Sequence, residues 1–378
     1  MLLALNSDQE LFSETTAKLL DELVPVGELR RLRNDPRGFD PDYWRRGAEL
    51  GWTSLLVGGQ HGGGSIGEHG LVDLALVAYQ FGRHAAPGPL AVTNVVVATL
   101  AETGHGDDGR IRALMSGDSM ATWCLGEPVP NDRLGSIALE VRLEGDEVVL
   151  NGIKRPVESA ADADYLLVTG RTGGGLTQVL VPTGTAGLSM APMQSVDLTR
   201  RFSVVTFDEV RLPAATVVGD VGSADAQVER QFERAVAILN AESVGAMQTA
   251  FDMTVEWAFD RYSFGRPLAS YQELKHRFAD MKSWLEASHA VSDAGTAAAA
   301  SGSPNAGELL SAAKSFIGDY GSELLQDCVQ IHGGIGVTFE HDIHLYLRRH
   351  TVNRALFGTP ADHRQRLTDI IETREQVA

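Results

Sequence analysis

The sequence predicts an α+β multidomain protein with an N-terminal helical domain, a middle antiparallel β-barrel or sandwich domain, and a C-terminal four-helix bundle. Apolar residues recur at three- and four-residue intervals up to about residue 114 and again from residue 224, but they alternate between residues 121 and 218. The 378 residues also exceed the roughly 250 to 300 that one core usually serves. We expect domains at residues 1–118, 119–222 and 223–378.

The N-terminal domain is predicted from three segments with helical periodicity: LFSETTAKLLDELV, PDYWRRGAELGW and LVDLALVAYQFGRHAA. The glycine-rich stretches VGGQHGGGS and APGPL separate them. GGQHGGG precedes no strand-to-helix step with Lys-Ser or Lys-Thr, so we interpret it as a turn rather than a phosphate loop. A nucleotide-binding α/β fold is therefore not indicated.

The middle domain is predicted from alternating segments such as ATWCLGE, ADYLLVTG, TQVLVPT and FSVVTFDEVRLP. In IALEVRLEGDEVVLNG, the EGDE tetrapeptide lies between two alternating runs and predicts a hairpin turn. Short strands in close succession are typical of an antiparallel barrel or sandwich.

The C-terminal bundle is predicted from four long helical segments, at residues 227–261, 270–298, 307–330 and 341–356. The small-residue stretch SDAGTAAAASGSPNAG lies between the second and third segments, and we interpret it as a flexible connection. His341 and His344 are three residues apart, but no cysteine or carboxylate cluster accompanies them. We therefore expect no metal site.

The composition limits the partners. A formal net charge of -18 repels phosphate backbones and anionic membranes, so we expect no nucleic-acid partner. No apolar run reaches the roughly 18 residues that a membrane span needs. Cys124 and Cys328 fit no paired metal-ligand spacing and provide little evidence for secretion, so a cytoplasmic location is expected.

Two segments carry candidate ligand-binding residues. In DRYSFGRPLASYQELKHRFADM, Arg261, Phe264 and Gln272 offer a guanidinium, an aromatic face and an amide around a helix-helix corner, a set that suits a phosphate and a flat heterocycle. In QDCVQIHGGIGVT, Gln330 precedes Gly334 at a predicted helix end, where the backbone can approach a ligand closely.

Together these segments closely resemble the acyl-CoA dehydrogenase family, and the resemblance covers nearly the whole chain. AELGWTSLLV and GRHAAPGPL are similar to its N-terminal domain, WCLGEP and LNGIKRPVESAADADYLLV to its β domain, and HGGIGVTFEHDIHLYLRR to its last helices. The resemblance implies FAD, an acyl-CoA substrate and α,β-dehydrogenation, in which a base takes the α-proton and flavin N5 takes the β-hydride. It also implies oligomers with FAD across a subunit interface, and an electron-transferring flavoprotein as acceptor.

The resemblance assigns two groups of site residues. The first, here called the clamp, would hold the adenine and diphosphate half of a neighbouring subunit's FAD. The second would contact the chain's own flavin, through the backbone of Leu125 and Gly126 and through Thr359. The clamp consists of Arg261, Phe264, Gln272, Gln330 and Gly334.

The chain departs from the family pattern where its own flavin and the base would lie. VPNDR follows Pro128 in place of a glycine-rich loop, and Glu158 replaces a threonine beside flavin N5, so its carboxylate is expected to turn away. The family's two positions for the catalytic glutamate correspond to Phe357 and Ala235, neither of which can accept a proton.

Glu242 is the leading substitute for the base. It lies seven residues after Ala235, on the same apolar stripe of a predicted helix. Burial there would raise a carboxyl pKa and suit it to proton abstraction. Two helical turns, or about 11 Å, nevertheless separate the two positions, so a packing or ion-pair role is the alternative.

Two functions remain open. The first is an FAD-dependent acyl-CoA dehydrogenase that works alone, as a homo-oligomer. The second is a non-catalytic or half-site partner in a hetero-oligomer, which completes the FAD site of a sister chain. Small residues such as Ala235 and Gly245 would permit a bulky, branched or ring-bearing acyl group between helices.

Overall fold

The computed structural model describes residues 5–105 and 108–377. The N-terminal region is helical, as predicted, and its first helix begins with a capping box. Asn6 accepts hydrogen bonds from the amides of Asp8 and Gln9, while the Gln9 side chain accepts one from the Asn6 amide. The helices are α1 (Ser7–Leu23), α2 (Pro41–Glu49), α3 (Gly70–His84), α4 (Leu90–Glu102) and α5 (Asp108–Met115).

The middle region forms an eight-stranded sheet in the order β6-β7-β3-β2-β4-β5-β8, with β1 beside β4. The predicted EGDE hairpin is confirmed, because Glu144 pairs with Glu147 across a two-residue turn. The strands are β1 (Ala121–Cys124), β2 (Glu140–Glu144), β3 (Glu147–Glu158), β4 (Tyr165–Thr172), β5 (Gly175–Pro182), β6 (Leu188–Met193), β7 (Phe202–Pro213) and β8 (Val217–Val218).

The sheet is antiparallel except where β4 pairs with β1 and β2. Strand β1 runs parallel to β4, and one further parallel bridge joins β2 and β4. Strand β6 was not predicted from the sequence, because its residues, LSMAPM, contain one polar side chain and a proline instead of an alternating run, and none of them is buried. Placing β1 beside β4 brings the segment that follows β1 to the edge facing the C-terminal helices.

The C-terminal region contains a short hairpin and five long helices. The four predicted helices are present, and Pro360 begins a fifth that was not predicted. The elements are α6 (Asp225–Asp260), β9 (Tyr262–Ser263), β10 (Arg266–Pro267), α7 (Gln272–Ala300), α8 (Ala306–His332), α9 (Ile343–Ala355) and α10 (Pro360–Val377).

The prediction of a flexible connection after the second C-terminal helix was wrong for most of its length. Helix α7 continues through residue 300, and only residues 301–305 separate it from α8. Ser292 and Thr296 are buried on the inner face of this last part of α7, together with Ala298. Packing against neighbouring helices therefore orders a segment whose composition alone suggested a loop.

The N-terminal and C-terminal helices share one hydrophobic core, while the sheet encloses a second. At the crossing of α3 and α6, a Cβ on Gly82 would lie 1.8 Å from the carbonyl oxygen of Glu242, and one on Gly245 would lie 2.0 Å from that of Tyr79. The expectation that Gly245 makes room for an acyl group was wrong. Here glycine lets the two helix backbones touch, which leaves no space between them.

In the part of the chain that the structure describes, no helix is both long and apolar enough to cross a membrane. The same residues contain no group of three or more histidine, cysteine or acidic side chains placed to hold a metal ion.

Candidate active site

A cavity of about 480 Å³ lies where the segment after β1 faces the turn between α9 and α10. Three of the predicted residues, Leu125, Gly126 and Thr359, line it, as does Phe357. Its other lining residues are Val92, Trp123, Glu127, Pro128, Val129, Asn131, Asp132, Arg133, Leu134, Gly135, Ser136, Ile137, Arg155, Pro156, Glu158, Phe202, Ala355, Leu356, Gly358 and Asp362.

The turn beside the cavity is held in an unusual conformation. Phe357 and Gly358 both have positive φ angles, of 54° and 96°. The Phe357 carbonyl lies 2.9 Å from Nε2 of His363, and burial lowers the pKa of that imidazole to about 4. Its ring is therefore neutral near pH 7, and Nε2–H donates to the carbonyl. His363 was not among the site residues predicted from the sequence, although it lies only four residues after Thr359.

Thr359 caps helix α10. Its hydroxyl and its amide both donate to Oδ2 of Asp362, at 2.7 and 2.8 Å. The threonine side chain, which the sequence resemblance assigned to the flavin, thus already has an intramolecular role at a helix N-terminus.

Aromatic rings form the inner wall of the cavity. The Phe357 ring stacks on Trp123, with ring centroids 5.6 Å apart and planes inclined by 22°. Its edge meets Phe232 of α6 at 6.5 Å. The residue at the expected position of the catalytic base therefore contributes an apolar surface, which separates the cavity from the helical core.

The backbone at Leu125 and Gly126 is anchored within the chain. The Leu125 carbonyl accepts a hydrogen bond from Nζ of Lys154 at 3.0 Å, and the Gly126 carbonyl accepts one from the Arg155 amide at 2.8 Å. A Cβ on Gly126 would lie 2.7 Å from the Arg155 carbonyl oxygen. Glycine is thus required here by the neighbouring strand.

Two buried carboxylates that line the cavity are paired with cations. Glu127 accepts from Lys154 at 2.6 Å and from two backbone amides, and burial lowers the pKa of Lys154. Glu158 accepts two hydrogen bonds from the guanidinium of Arg200, at 2.6 and 2.5 Å. Because both carboxylates are occupied, neither is free to accept a proton from a ligand in the cavity.

Glu242 does not line the cavity. Its Oε1 accepts from Nη1 of Arg349 at 2.6 Å, its Oε2 accepts from Asn353 at 2.9 Å, and Nη1 of Arg200 lies 3.6 Å from Oε2. This placement favours the ion-pair role that the sequence analysis kept as the alternative, and it gives no support to Glu242 as the base.

Arg349 is the centre of this buried network and is only 1% exposed. Besides Glu242, it donates to Asp197 and Thr199, at 2.5 and 2.6 Å, and to backbone carbonyls at residues 85 and 86. Burial would raise the pKa of Asp197, but the charge and hydrogen bonds of Arg349 hold it below its usual value. The network joins all three regions of the chain, and no sequence spacing indicated it.

The first three clamp residues lie together at the end of α6. Arg261 ends this helix, Phe264 forms the turn of the β9-β10 hairpin, and Gln272 begins α7. The Tyr271 hydroxyl donates to the Ser263 carbonyl at 2.7 Å, which ties the hairpin to α7. The Phe264 side chain is 98% exposed.

The other two clamp residues join this group through stacked side chains. The Arg261 guanidinium lies 5.9 Å from the centre of the Trp257 ring, and this ring stacks on His332 at 5.3 Å. His332 ends α8, between Gln330 and Gly334. All five clamp residues are exposed, and a Cβ on Gly334 would meet nothing within 4 Å. The end of α8 is thus open to close approach by another molecule.

The clamp and the cavity lie far apart in one chain. Phe232, which contacts Phe357, and Arg261 are 29 residues apart along the continuous helix α6. At 1.5 Å per residue, the helix separates them by about 43 Å. The clamp and the cavity wall at Phe357 therefore lie towards opposite ends of α6 in one chain.

Comparison with known proteins identifies the family. The model for the C-terminal domain of acyl-CoA dehydrogenases matches residues 224–371. The chain is 30% identical over 365 residues to acyl-CoA dehydrogenase IpdE2 of Mycolicibacterium smegmatis, covering 96% of this chain and 98% of that protein. The chain belongs to the acyl-CoA dehydrogenase family. The chain is also 25% identical to mitochondrial isobutyryl-CoA dehydrogenase of Dictyostelium discoideum, over 85% of this chain and 80% of that protein.

Solved structures of acyl-CoA dehydrogenases share the fold. Butyryl-CoA dehydrogenase from Megasphaera elsdenii superposes with a TM-score of 0.86 at 20% identity, covering 98% of this chain and all of the other. A variant of the Tcur3481-Tcur3483 steroid ACAD gives 0.87 at 24% identity, covering 97% and 98%. The predicted succession of helical, β and helical domains is therefore confirmed.

Proposed function

We propose that this chain is a subunit of a hetero-oligomeric, FAD-dependent acyl-CoA dehydrogenase, in which its clamp completes the FAD site of a sister chain. The assembled enzyme would catalyse α,β-dehydrogenation of an acyl-CoA thioester. Bound FAD would supply the acceptor for the β-hydride. A base on the sister chain would take the α-proton.

The exposure of Phe264 is the observation that carries this proposal. Phe264 and Gly265 form a two-residue hairpin turn in which both φ angles are positive, 47° and 81°. Asn-Gly is the usual choice for such a turn, and a phenylalanine there costs free energy. A strained aromatic side chain that is 98% exposed stabilises nothing within this chain. The exposed ring is instead suited to stacking on a neighbouring molecule.

The remaining clamp residues have the chemistry that a dinucleotide requires. The guanidinium of Arg261 can donate to a diphosphate, and the amides of Gln272 and Gln330 can donate or accept at a heterocycle. The open space around Gly334 permits close backbone approach. The clamp residues therefore fit the adenine and diphosphate half of FAD.

The separation of about 43 Å between clamp and cavity favours a complete site that is shared between two chains. A homo-oligomer would also provide two chains. The cavity is what favours a hetero-oligomer over a homo-oligomer, because an aromatic ring occupies the expected position of the base there. Glu127 and Glu158 are paired there, and Asp362 accepts the cap hydrogen bonds from Thr359. Asp132, the fourth acidic residue that lines the cavity, is exposed on the loop between β1 and β2.

The test is to purify the chain alone and together with an acyl-CoA dehydrogenase-like chain encoded beside it. FAD content is read from flavin absorbance, and activity from acyl-CoA-dependent reduction of a dye acceptor. We expect little FAD and no turnover from the solitary chain, but one FAD per pair and turnover from the complex. Arg261→Ala should release FAD from the complex, whereas Arg266→Ala, which removes the same charge from the same hairpin, should not.

Full FAD occupancy and turnover by the solitary chain would overturn the proposal. Asp132→Asn would then be the first variant to measure, because it removes the exposed carboxylate that lines the cavity.

A further inference from the structure

An arginine of the N-terminal region is bound to the loop that follows helix α8. This loop, called here the α8–α9 loop, comprises residues 333–342. Nε and Nη2 of Arg30 donate to the carbonyls of Phe339 and Glu340, both at 2.6 Å. The same guanidinium forms an ion pair with Asp342. One side chain thus joins the N-terminal region to a loop that begins more than 300 residues later, since Arg30 and Phe339 are 309 residues apart.

The segment that carries Arg30 is itself held in place. It is a 3₁₀ helix, Val26–Asn34, in which Leu29 is buried in the helical core. Arg201, just before β7, donates to the Leu32 carbonyl on the same segment. The Arg30 side chain is only 16% exposed. Because its helix is anchored on two sides, the guanidinium is a fixed attachment point for the α8–α9 loop.

The α8–α9 loop buries little of its own surface. The side chains of Ile335, Val337 and Phe339 are exposed. Segments with few buried apolar contacts open locally at a small cost in free energy. The contacts that Arg30 makes with residues 339–342 therefore matter for the position of this loop.

The part of the loop that Arg30 holds packs against the clamp through His341. The centroid of the His341 ring lies 4.6 Å from that of His332 and 6.5 Å from that of Trp257. Both of these rings support clamp residues. The Arg261 guanidinium lies over Trp257, and His332 ends the helix that carries Gln330. A displacement of His341 would thus affect the guanidinium and one amide of the clamp.

We propose that Arg30 is a positioning residue for the FAD site of the sister chain, because it holds the α8–α9 loop and His341 against the rings that support the clamp. The inference rests on the proposed function, in which the clamp binds the adenine and diphosphate half of FAD. Arg30 acts by preorganisation rather than by contact with the cofactor. A loop that is already ordered loses less conformational entropy when the ligand binds.

Two measurements on Arg30→Met test this inference. Amide hydrogen exchange in the solitary chain, followed by mass spectrometry, needs neither FAD nor a sister chain. Peptides that cover residues 333–342 should exchange faster in Arg30→Met than in the unmodified chain. In the complex, fluorescence titration with FAD should give a dissociation constant that is roughly 10-fold higher, because the loop must then be ordered on binding.

Arg31→Met is the matched control. It removes the same charge from the same 3₁₀ helix, but Arg31 is exposed and pairs with Glu28 of its own segment, so neither measurement should change. Arg30→Lys keeps the charge but loses the planar fork that reaches two carbonyls and a carboxylate, so it should recover at most part of the FAD affinity. This milder change also keeps both measurements available if Arg30→Met does not fold, which urea unfolding verifies.

Unchanged exchange of residues 333–342 in a folded Arg30→Met chain would overturn the inference and leave the proposed function standing. Equal FAD affinity in the Arg30→Met and unmodified complexes would do the same, because Arg30 would then stabilise the fold without acting on the clamp. Full FAD affinity in Arg30→Lys would overturn it as well, since the charge alone would suffice. An unmodified complex without FAD would contradict the proposed function, and the inference with it.

Discussion

Arg349 donates a hydrogen bond of 2.6 Å to Glu242, across 107 residues of sequence. The pair is almost completely buried, with side-chain exposures of 1% and 9%. Asn353 and Arg200 approach the other carboxylate oxygen, so Glu242 lies inside a structural network that joins the sheet to α6 and α9. A carboxylate held in this way contributes to the assembly of the domains, since removing it would leave buried donors of Arg349 and Asn353 without their acceptor.

Replacing Glu242 tests whether it is structural or catalytic. Glu242→Gln should lower the free energy of unfolding by about 1 to 3 kcal/mol, because it replaces a carboxylate oxygen that accepts from buried donors of Arg349 and Asn353. Urea unfolding measures this loss, and Glu256→Gln, an exposed change on the same helix, should have little effect. The base hypothesis predicts instead that turnover of the folded complex falls roughly 100- to 10,000-fold. Unchanged stability with such a loss of turnover would restore that hypothesis.

Phe264→Ala separates binding from folding. The side chain is 98% exposed and strained, so its removal should leave the stability of the solitary chain unchanged or slightly raised. In the complex, loss of a stacking face should weaken FAD binding by about 1 to 3 kcal/mol, the range measured for aromatic platforms under nucleic-acid bases. Fluorescence titration of the apo complex with FAD gives the dissociation constant. Phe259→Ala, which truncates an aromatic side chain that is 64% exposed near the end of α6, is the control.

Equal FAD affinity in the Phe264→Ala and unmodified complexes would show that the exposed ring does not contact the cofactor. The proposal for the clamp would then depend on Arg261, Gln272, Gln330 and Gly334.

The free energy of unfolding should decrease as the pH falls, because a buried imidazole, His363, lies beside the cavity. Burial, reinforced by the charge of Lys314, lowers the pKa of His363 to about 4 from an ordinary 6.5. Between these values the unfolded chain binds a proton that the folded chain does not, so the contribution of His363 to the free energy of unfolding decreases from pH 6.5 down to pH 4 and is constant above 6.5. The group accounts for about 3 kcal/mol at most. Burial also lowers the pKa of His289 and His350 to about 4, so they act in the same direction.

His363→Gln keeps a donor for the Phe357 carbonyl but cannot titrate. Urea unfolding at pH 5 and pH 7 should therefore show a smaller difference in this variant than in the unmodified chain. His69→Gln, at an exposed position, should keep the full difference. An undiminished pH dependence in His363→Gln would place the titration in other groups.

The crossing of α3 and α6 should tolerate no side chain. A Cβ introduced by Gly245→Ala would lie 2.0 Å from the Tyr79 carbonyl oxygen, which is backbone and cannot move aside. We expect a loss of stability of about 3 kcal/mol or more, since overpacking forces the helices apart. Gly307→Ala is the matched control, because its Cβ would meet only side-chain tips, the nearest at 3.0 Å. If Gly245→Ala were as stable as Gly307→Ala, α3 and α6 would be able to move apart at no cost in stability, which would contradict this prediction.

The sequence predicted the elements that have strong local signals. Residues 227–261 have an uninterrupted helical period and correspond to α6, and the EGDE turn gives the hairpin between β2 and β3. It failed at residues 292–300, where alanine and glycine suggested a loop. The interpretation as a loop gave too much weight to the small size of these residues, because alanine has the strongest intrinsic helix preference and five of the nine residues are alanine.

For the site, the sequence by itself determined which side chains the chain contains at each motif: the five proposed clamp residues from Arg261 to Gly334, and a phenylalanine at position 357, where the resemblance implies a base. Only the tertiary structure decided how these residues are used. It pairs Glu242 with Arg349, closes α3 against α6 at Gly245, and separates the clamp from the cavity by about 43 Å. The reason is physical: periodicity and motifs report interactions between near neighbours in sequence, whereas ion pairing, backbone contact and distance arise between segments that only the folded chain brings together.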